Sequence, residues 1–266
     1  MDLQVEGRHV SATCGGRALD EDAPLVVFVH GAGFDKTVWS LQTRWFANHG
    51  YSALAVDLPG HGGSDGPPLE SIPALADWLA ATIESLGFAE ASIVGHSMGS
   101  YAALEFAARH SSVAHAIVLV GTAAEMPVHP DLLAAARSGD PLAFDLVTAW
   151  SFGRAAHVGG HRTPGLWMLG AGRRLVGRVT LDVLARDLTV CDGYRSALET
   201  ASRVHCPTLV VSGDDDRMTP ATSARHIAAA IDRAEAVTFP RTGHVLMVEQ
   251  PDRFIDAVAG FLAAHG

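Results

Sequence analysis

The stretch Ala91-Ser92-Ile93-Val94-Gly95-His96-Ser97-Met98-Gly99-Ser100-Tyr101 decides how this chain is read. The run Ala91 to Val94 suits a buried strand, and the apolar stretch Tyr101 to Ala108 suits a helix. Between them stands Gly-x-Ser-x-Gly, whose small end residues permit a tight, strained turn that lifts the Ser97 hydroxyl off the backbone. Gly and Ser are common, so the pentapeptide by itself says little. Its strand-turn-helix setting makes it a candidate nucleophile elbow.

Outward from this stretch the same alternation recurs. Leu25-Val26-Val27-Phe28-Val29 is continuous and mostly β-branched, the pattern of a strand covered on both faces in a parallel sheet. Comparable runs lie at Ser52 to Val56, Ala116 to Val120, Thr208 to Ser212 and Ala236 to Phe239. Helical stretches fall near Val38 to His49, Ile72 to Leu86, Tyr101 to His110, Ala221 to Ile231 and Asp252 to Ala264. Leu3 to Val5 and His9 to Thr13, alternating around Gly7, predict an opening hairpin. The fold class is therefore α/β, with a mostly parallel central sheet flanked by helices.

The alternation breaks between Thr122 and Val204, where no buried strand is evident but helix formers, glycines and large apolar residues abound. A segment of that length is no bare loop. It predicts a helical cap, 122–204, inserted into a core made of 1–121 and 205–266. Trp150, Phe152, Trp167 and Met168, with Leu169, are candidates to line an acyl or aromatic pocket, and packing inside the cap would use them equally well. Gly159-Gly160 and Gly170-Ala171-Gly172 are either flexible points or ordinary turns.

Composition excludes several classes of function. The 266 residues, 48% hydrophobic and 18% charged, are long and apolar enough for a sizeable core. A formal charge of -10, without a Lys/Arg cluster, argues against nucleic acid as a partner. No apolar run reaches the roughly 18 to 20 residues of a membrane span, and the first residues lack the pattern of a signal peptide. The expectation is a soluble cytoplasmic protein acting on a small molecule, without membrane contact; oligomeric state is not readable. Cys14, Cys191 and Cys206 are too widely spaced for a zinc site and too few for a disulfide framework, which predicts buried free thiols. His157 and His161 have helical i, i+4 spacing, but Val158-Gly159-Gly160 opposes a helix there, and no metal site is expected. No cofactor is implied.

A serine hydroxyl is a weak nucleophile near neutral pH and needs a base, itself oriented by a carboxylate. The run ending at Ser212 is followed by Gly213-Asp214-Asp215-Asp216-Arg217-Met218-Thr219-Pro220, and the run ending at Phe239 by Pro240-Arg241-Thr242-Gly243-His244. The order Ser, Asp, His is the one an elbow serine on a central strand requires. Three adjacent aspartates leave the acid open, since one or more would serve a solvated turn and a helix cap. Oxyanion donors would be the backbone N–H of Met98 and one from His30-Gly31-Ala32-Gly33, with Ala32 the first choice.

With these pieces in place, the chain resembles the α/β-hydrolase superfamily over nearly its whole length. The matching pieces are His30 to Gly33 with Trp39 downstream, Asp57-Leu58-Pro59-Gly60-His61-Gly62-Gly63-Ser64, the Ser97 pentapeptide, Gly213 to Pro220, and Gly243-His244 with Glu249-Gln250-Pro251 beyond. The resemblance implies Asp216 as the acid, Ser97 and His244 as its partners, and Ala32 with Met98 as the oxyanion hole. Asp57, at a strand end where the family can place an alternative acid, is the second candidate. His30, His61 and His96 are read as organisers of their turns.

Ser97 in place of an aspartate nucleophile argues against dehalogenase and epoxide hydrolase chemistry, leaving mainly acyl transfer. The stretches His30 to Trp39 and Gly121 to Ala124 look most like the enol-lactonase and carboxylesterase branch. The expected function is cleavage of a carboxylic ester or lactone of a small, hydrophobic or aromatic substrate through an acyl-enzyme on Ser97. Alternatives are an enol-lactonase or carbon-carbon bond hydrolase acting on an anionic substrate, for which Arg154, Arg162, Arg173 and Arg174 could receive a carboxylate. A perhydrolase or haloperoxidase, and a ligand receptor built on a hydrolase scaffold, complete the set.

Overall fold

The apolar runs form strands because both of their faces are covered. In the computed structural model, which describes residues 1–160 and 165–265, eight strands form one sheet: β1 (Asp2–Val5), β2 (Arg8–Thr13), β3 (Leu25–Val29), β4 (Ser52–Val56), β5 (Ala91–His96), β6 (Ala114–Val120), β7 (Thr208–Gly213) and β8 (Glu235–Phe239). Their order is β1-β2-β4-β3-β5-β6-β7-β8. The opening hairpin β1-β2 and the β2-β4 pair are antiparallel, and every other pairing is parallel. All residues of β3, β4, β5 and β7 are buried, as continuous apolar strands require.

Alternation along β3 sorts its side chains between two layers. Val27 and Val29 pack with Leu75, Leu79, Tyr101 and Ile227, from the helices Ile72–Ser85, Met98–Arg109 and Ala221–Ala230. Val26 and Phe28 pack on the other face with Phe46, Phe254 and Val258, from the helices Ser40–Ala47 and Pro251–His265. The helix expected over Val38 to His49 is divided. A 3-10 turn, Lys36–Trp39, capped by Asp35 through the Thr37 N–H at 2.8 Å, precedes the helix Ser40–Ala47.

β4 and β5 flank β3 on opposite sides, so the chain reverses its direction of progress across the sheet at β3 and β5. Parallel α/β sheets open a crevice outside their carboxyl ends at such a point. Here that crevice receives the turn His30 to Gly33 and Ser97, with the loops after β7 and β8 alongside.

Between β6 and β7 the chain forms the helices Pro130–Ser138, Leu142–Ser151, Arg154–His157, Met168–Val176, Leu181–Gly193 and Ala197–Ala201, and no strand among the described residues. The last of these packs against Met98–Arg109 and Ala221–Ala230. Beside it the buried Glu105 carboxylate accepts the Tyr194 and Thr200 hydroxyls at 2.9 and 3.1 Å. Gly172, expected at either a flexible point or an ordinary turn, lies inside the helix Met168–Val176 and packs so closely on Phe152 that a Cβ there would enter the ring. Among the described residues, no helix is long and apolar enough to cross a membrane.

Candidate active site

β5 runs without a break into Ser97, and the following helix begins at Met98, three residues earlier than the apolar pattern suggests. Ser97 absorbs the whole change of direction at φ 52° and ψ -117°. A side chain in that region costs about 1–3 kcal/mol and persists only when its surroundings over-determine it. The surroundings do so: the Ser97 N–H donates to the Val120 carbonyl at 2.8 Å, and the Ser97 carbonyl accepts from the Ser100 N–H at 2.8 Å and its hydroxyl at 2.6 Å. A Cβ on Gly95 would collide with the Gly99 carbonyl, and one on Gly99 would lie 2.5 Å from the Val29 carbonyl oxygen. Both glycines of the pentapeptide are thus steric necessities.

The loops after β7 and β8 bring Asp216 and His244 together. His244 Nδ1 is 2.8 Å from Asp216 Oδ2. The carboxylate also accepts the N–H groups of Met218 and Thr219 at 2.8 and 2.9 Å, and the Thr219 hydroxyl at 2.7 Å. Burial alone would raise the pKa of Asp216, but His244 and these donors outweigh it, and the net shift is downward. An ionised Asp216 accepts the proton on Nδ1, which leaves Nε2 bare; that buried nitrogen has no hydrogen-bond partner among the described residues. A neutral ring held in this tautomer has a lone pair on Nε2 and is chemically able to accept a proton there.

Two carboxylates considered as rivals are engaged elsewhere. Asp215 binds Arg154, and Asp57 binds Lys36 together with the N–H groups of Lys36 and Gly63. Asp214 Oδ1 accepts the Thr242 N–H at 3.4 Å.

The His244 loop is braced on both sides. Its own N–H donates to the Ser151 carbonyl at 2.7 Å, and its carbonyl accepts Nε2–H of His96 at 2.9 Å. Burial drives the pKa of His96 well below that of free histidine, so this brace is neutral. Glu249, five residues after His244, accepts the N–H of Gly243 at 3.0 Å and of Gly153 at 3.1 Å. Burial outweighs those donors and pushes its carboxyl up to about 7.

Ser97 opens into a cavity of about 500 Å³ lined by Ala32, Met126, Val128, His129, Leu132, Trp150, Leu188, Cys191, Arg217, Met218 and Thr219, with Pro127 and Pro130. Met98 is the first residue of its helix, where the N–H has no intrahelical acceptor. Of the four large residues expected at a pocket, the structure brings only Trp150 to this cavity. Phe152 is buried against Gly172, Met168 is buried in the packing beside it, and Trp167 is 72% exposed. Nor do the expected arginines arrive: Arg154 binds Asp215, Arg173 binds Asp145, and Arg174 lies with Trp167 in a separate depression. Arg162 and His161 fall outside the described residues. His157 contacts the Ala149 carbonyl.

The cavity residues missed by sequence lie on the segment Met126 to His129, on the loop after β7 at Arg217 and Met218, and on helices whose inward face is set by packing. Leu188 and Cys191, three apart on Leu181–Gly193, carry an i, i+3 signal, but nothing local says which object that face meets. Cys191 is buried as expected, whereas Cys14 and Cys206 are half-buried.

Comparison with known proteins agrees with this architecture. The sn-1-specific diacylglycerol lipase ABHD11 of Mus musculus is 28% identical, over 92% of this chain and 83% of its own. A 2-hydroxy-6-oxononadienedioate/2-hydroxy-6-oxononatrienedioate hydrolase of Burkholderia vietnamiensis is also 28% identical, over 89% of this chain and 86% of its own. Among solved structures, the enol-lactonase from Burkholderia xenovorans LB400 superimposes with a TM-score of 0.88 at 25% identity, over 99% of this chain and all of that one. A thermophilic esterase does so with a TM-score of 0.80 at 28% identity, over all of this chain and 98% of that one. The family model described as "Alpha/beta hydrolase family" matches residues 26–257, and the chain belongs to that family.

Proposed function

We propose that the protein is a serine hydrolase that cleaves a carboxylic ester of a small hydrophobic or aromatic substrate through an acyl-enzyme on Ser97. The observation that carries this reading is the His244 ring: Nδ1 is held by Asp216 at 2.8 Å, and the buried Nε2 has no partner among the described residues. In the proposed reaction His244 takes the proton of Ser97 as its oxygen attacks the carbonyl. The N–H groups of Met98 and Ala32 receive the charge on the oxyanion. His244 then protonates the leaving alcohol and draws a proton from water, whose oxygen displaces Ser97 to release the acid. In this reading the core spans 1–121 and 205–266, and a cap, 122–204, supplies the apolar wall of the cavity.

An anionic lactone is the second substrate class, favoured by the 25% identity with the enol-lactonase and by Arg217, a cation in an otherwise mostly apolar wall that could pair with a substrate carboxylate. Steady-state hydrolysis of p-nitrophenyl esters, set beside lactones and carbon-carbon cleavage substrates, separates these readings. Ser97→Ala is expected to abolish turnover and preserve the melting temperature. Retained hydrolysis in that variant would sink the assignment. A single burst without turnover in the wild type would point to a receptor.

A further inference from the structure

The molecule buries a second aspartate-histidine pair outside the Ser97 cluster. Asp187, 3% exposed on the helix Leu181–Gly193, lies with Oδ2 2.8 Å from Nε2 of His61 and 2.9 Å from the backbone nitrogen of Gly33. The other ring nitrogen of His61 lies 3.1 Å from the Pro59 carbonyl. Both neighbours of the ring are acceptors, so both nitrogens must donate and His61 is an imidazolium. Burial opposes that charge, but Asp187 more than compensates and raises the pKa of His61. The adjacent His30, whose ring centroid is 4.9 Å away, donates from Nδ1 to the Gly31 carbonyl and accepts the Leu58 N–H at Nε2. It is neutral, held at about 4 by burial and the charge of His61.

A buried ion pair is a poor device for stability alone, since apolar residues of similar volume fill such a site with no desolvation cost. Leucines, however, could not accept the Gly33 N–H. That group belongs to the peptide joining Ala32 to Gly33, so its orientation fixes the backbone on the carbonyl side of Ala32. We propose that Asp187, paired with His61 and accepting the Gly33 N–H, is a positioning residue for hydrolysis, aligning the turn so that the Ala32 N–H points at the developing oxyanion. This rests on the acyl-transfer reading above. The same helix approaches the turn through Leu184, whose Cδ1 would lie 2.8 Å from a Cβ on Gly33, and faces the cavity through Leu188 and Cys191. One rigid element therefore sets both the oxyanion turn and part of the substrate wall.

A group that aligns an oxyanion donor acts on the transition state, so its loss should appear in kcat and leave KM alone. Asp187→Asn is expected to lower kcat for p-nitrophenyl butyrate by about tenfold, less than the loss of a whole oxyanion donor. KM should stay within about twofold, since ground-state binding is untouched. Affinity for an alkylboronic acid, which binds Ser97 as a tetrahedral adduct, should fall by the same factor as kcat. Asp187→Ala, which can no longer accept from Gly33, should lose more than Asp187→Asn. Unchanged kcat and boronate affinity in Asp187→Asn, or a change confined to KM, overturns the proposal. If the alanine variant fails to fold, the asparagine variant decides. Hydrolysis surviving in Ser97→Ala defeats the underlying reading, whereas an inactive Ser97→Ala beside a normal Asp187→Asn defeats this inference alone.

Discussion

Asp216–His244 and Asp187–His61 are two buried pairs with the same 2.8 Å separation, and they differ in what the rest of each imidazole meets. Asp216 holds Nδ1 and leaves Nε2 without a partner among the described residues. Asp187 holds Nε2, and the Pro59 carbonyl holds Nδ1. The first ring keeps a lone pair for a proton; the second has both nitrogens committed as donors and works as a fixed charge. A carboxylate beside a histidine is thus not enough to define a base. In the proposed reaction it is the unoccupied nitrogen of His244 that takes the proton of Ser97.

The largest test of this contrast is kinetic. Asp216→Asn should reduce kcat by about 10³- to 10⁴-fold, because the amide stabilises the wrong tautomer of His244. His61→Asn should reduce it by no more than about tenfold, since it disturbs only the alignment of an oxyanion donor. Comparable losses in the two variants would erase the distinction.

The next effect is on stability. Removing one partner of a buried pair costs about 3–5 kcal/mol, so His61→Asn should lower the melting temperature most clearly at acid pH. The pKa of His61 is raised above its ordinary 6.5 on folding. The pair's contribution is therefore complete below about pH 6.5 and fades as pH rises through the folded-state value. The gap between wild type and variant, followed by thermal melts from pH 6 to pH 9, should narrow. A constant or widening gap would mean that His61 is not charged in the native state.

The smallest effect sharpens the comparison with an acid that has no imidazole beside it. Glu249 is buried like Asp216 and accepts two N–H groups, yet its carboxyl goes up to about 7 while that of Asp216 goes down. Backbone donors alone do not offset the loss of hydration here. An acid with a raised pKa contributes stability that is present below its ordinary 4.5 and is lost as pH rises through about 7. Glu249→Gln should therefore melt below wild type near pH 5 and gain on it by pH 8. Parallel melting curves across that range would show that Glu249 does not titrate there.

The legible parts of the molecule are those set by local chemistry. Runs such as Leu25 to Val29 announce buried strands because a strand covered on both faces must be apolar throughout. The turn at Ser97 is legible because only glycine fits at 95 and 99. Loop positions after β7 and β8 follow from the strands, whereas the three adjacent aspartates left the acid open locally and only the resemblance to the α/β-hydrolases implied Asp216. The cavity wall was far less legible. Phe152, Trp167 and Met168 are large and apolar, but size does not say which way a helix faces, and Leu188 and Cys191 took the inward positions instead. His61 was readable as the organiser of its loop, while its partner lies 126 residues away and gave no local sign.

The sequence by itself therefore determined the sheet, the strained serine turn and the loops from which a base and an acid could come, because strand burial and turn sterics act over a few residues. Only the tertiary structure decided which nitrogen of each histidine is free, which aspartate meets which ring, and which side chains face Ser97. Those outcomes depend on hydrogen bonds and helix faces brought together from distant parts of the chain, where a shift of a single ångström separates a bond from an empty space.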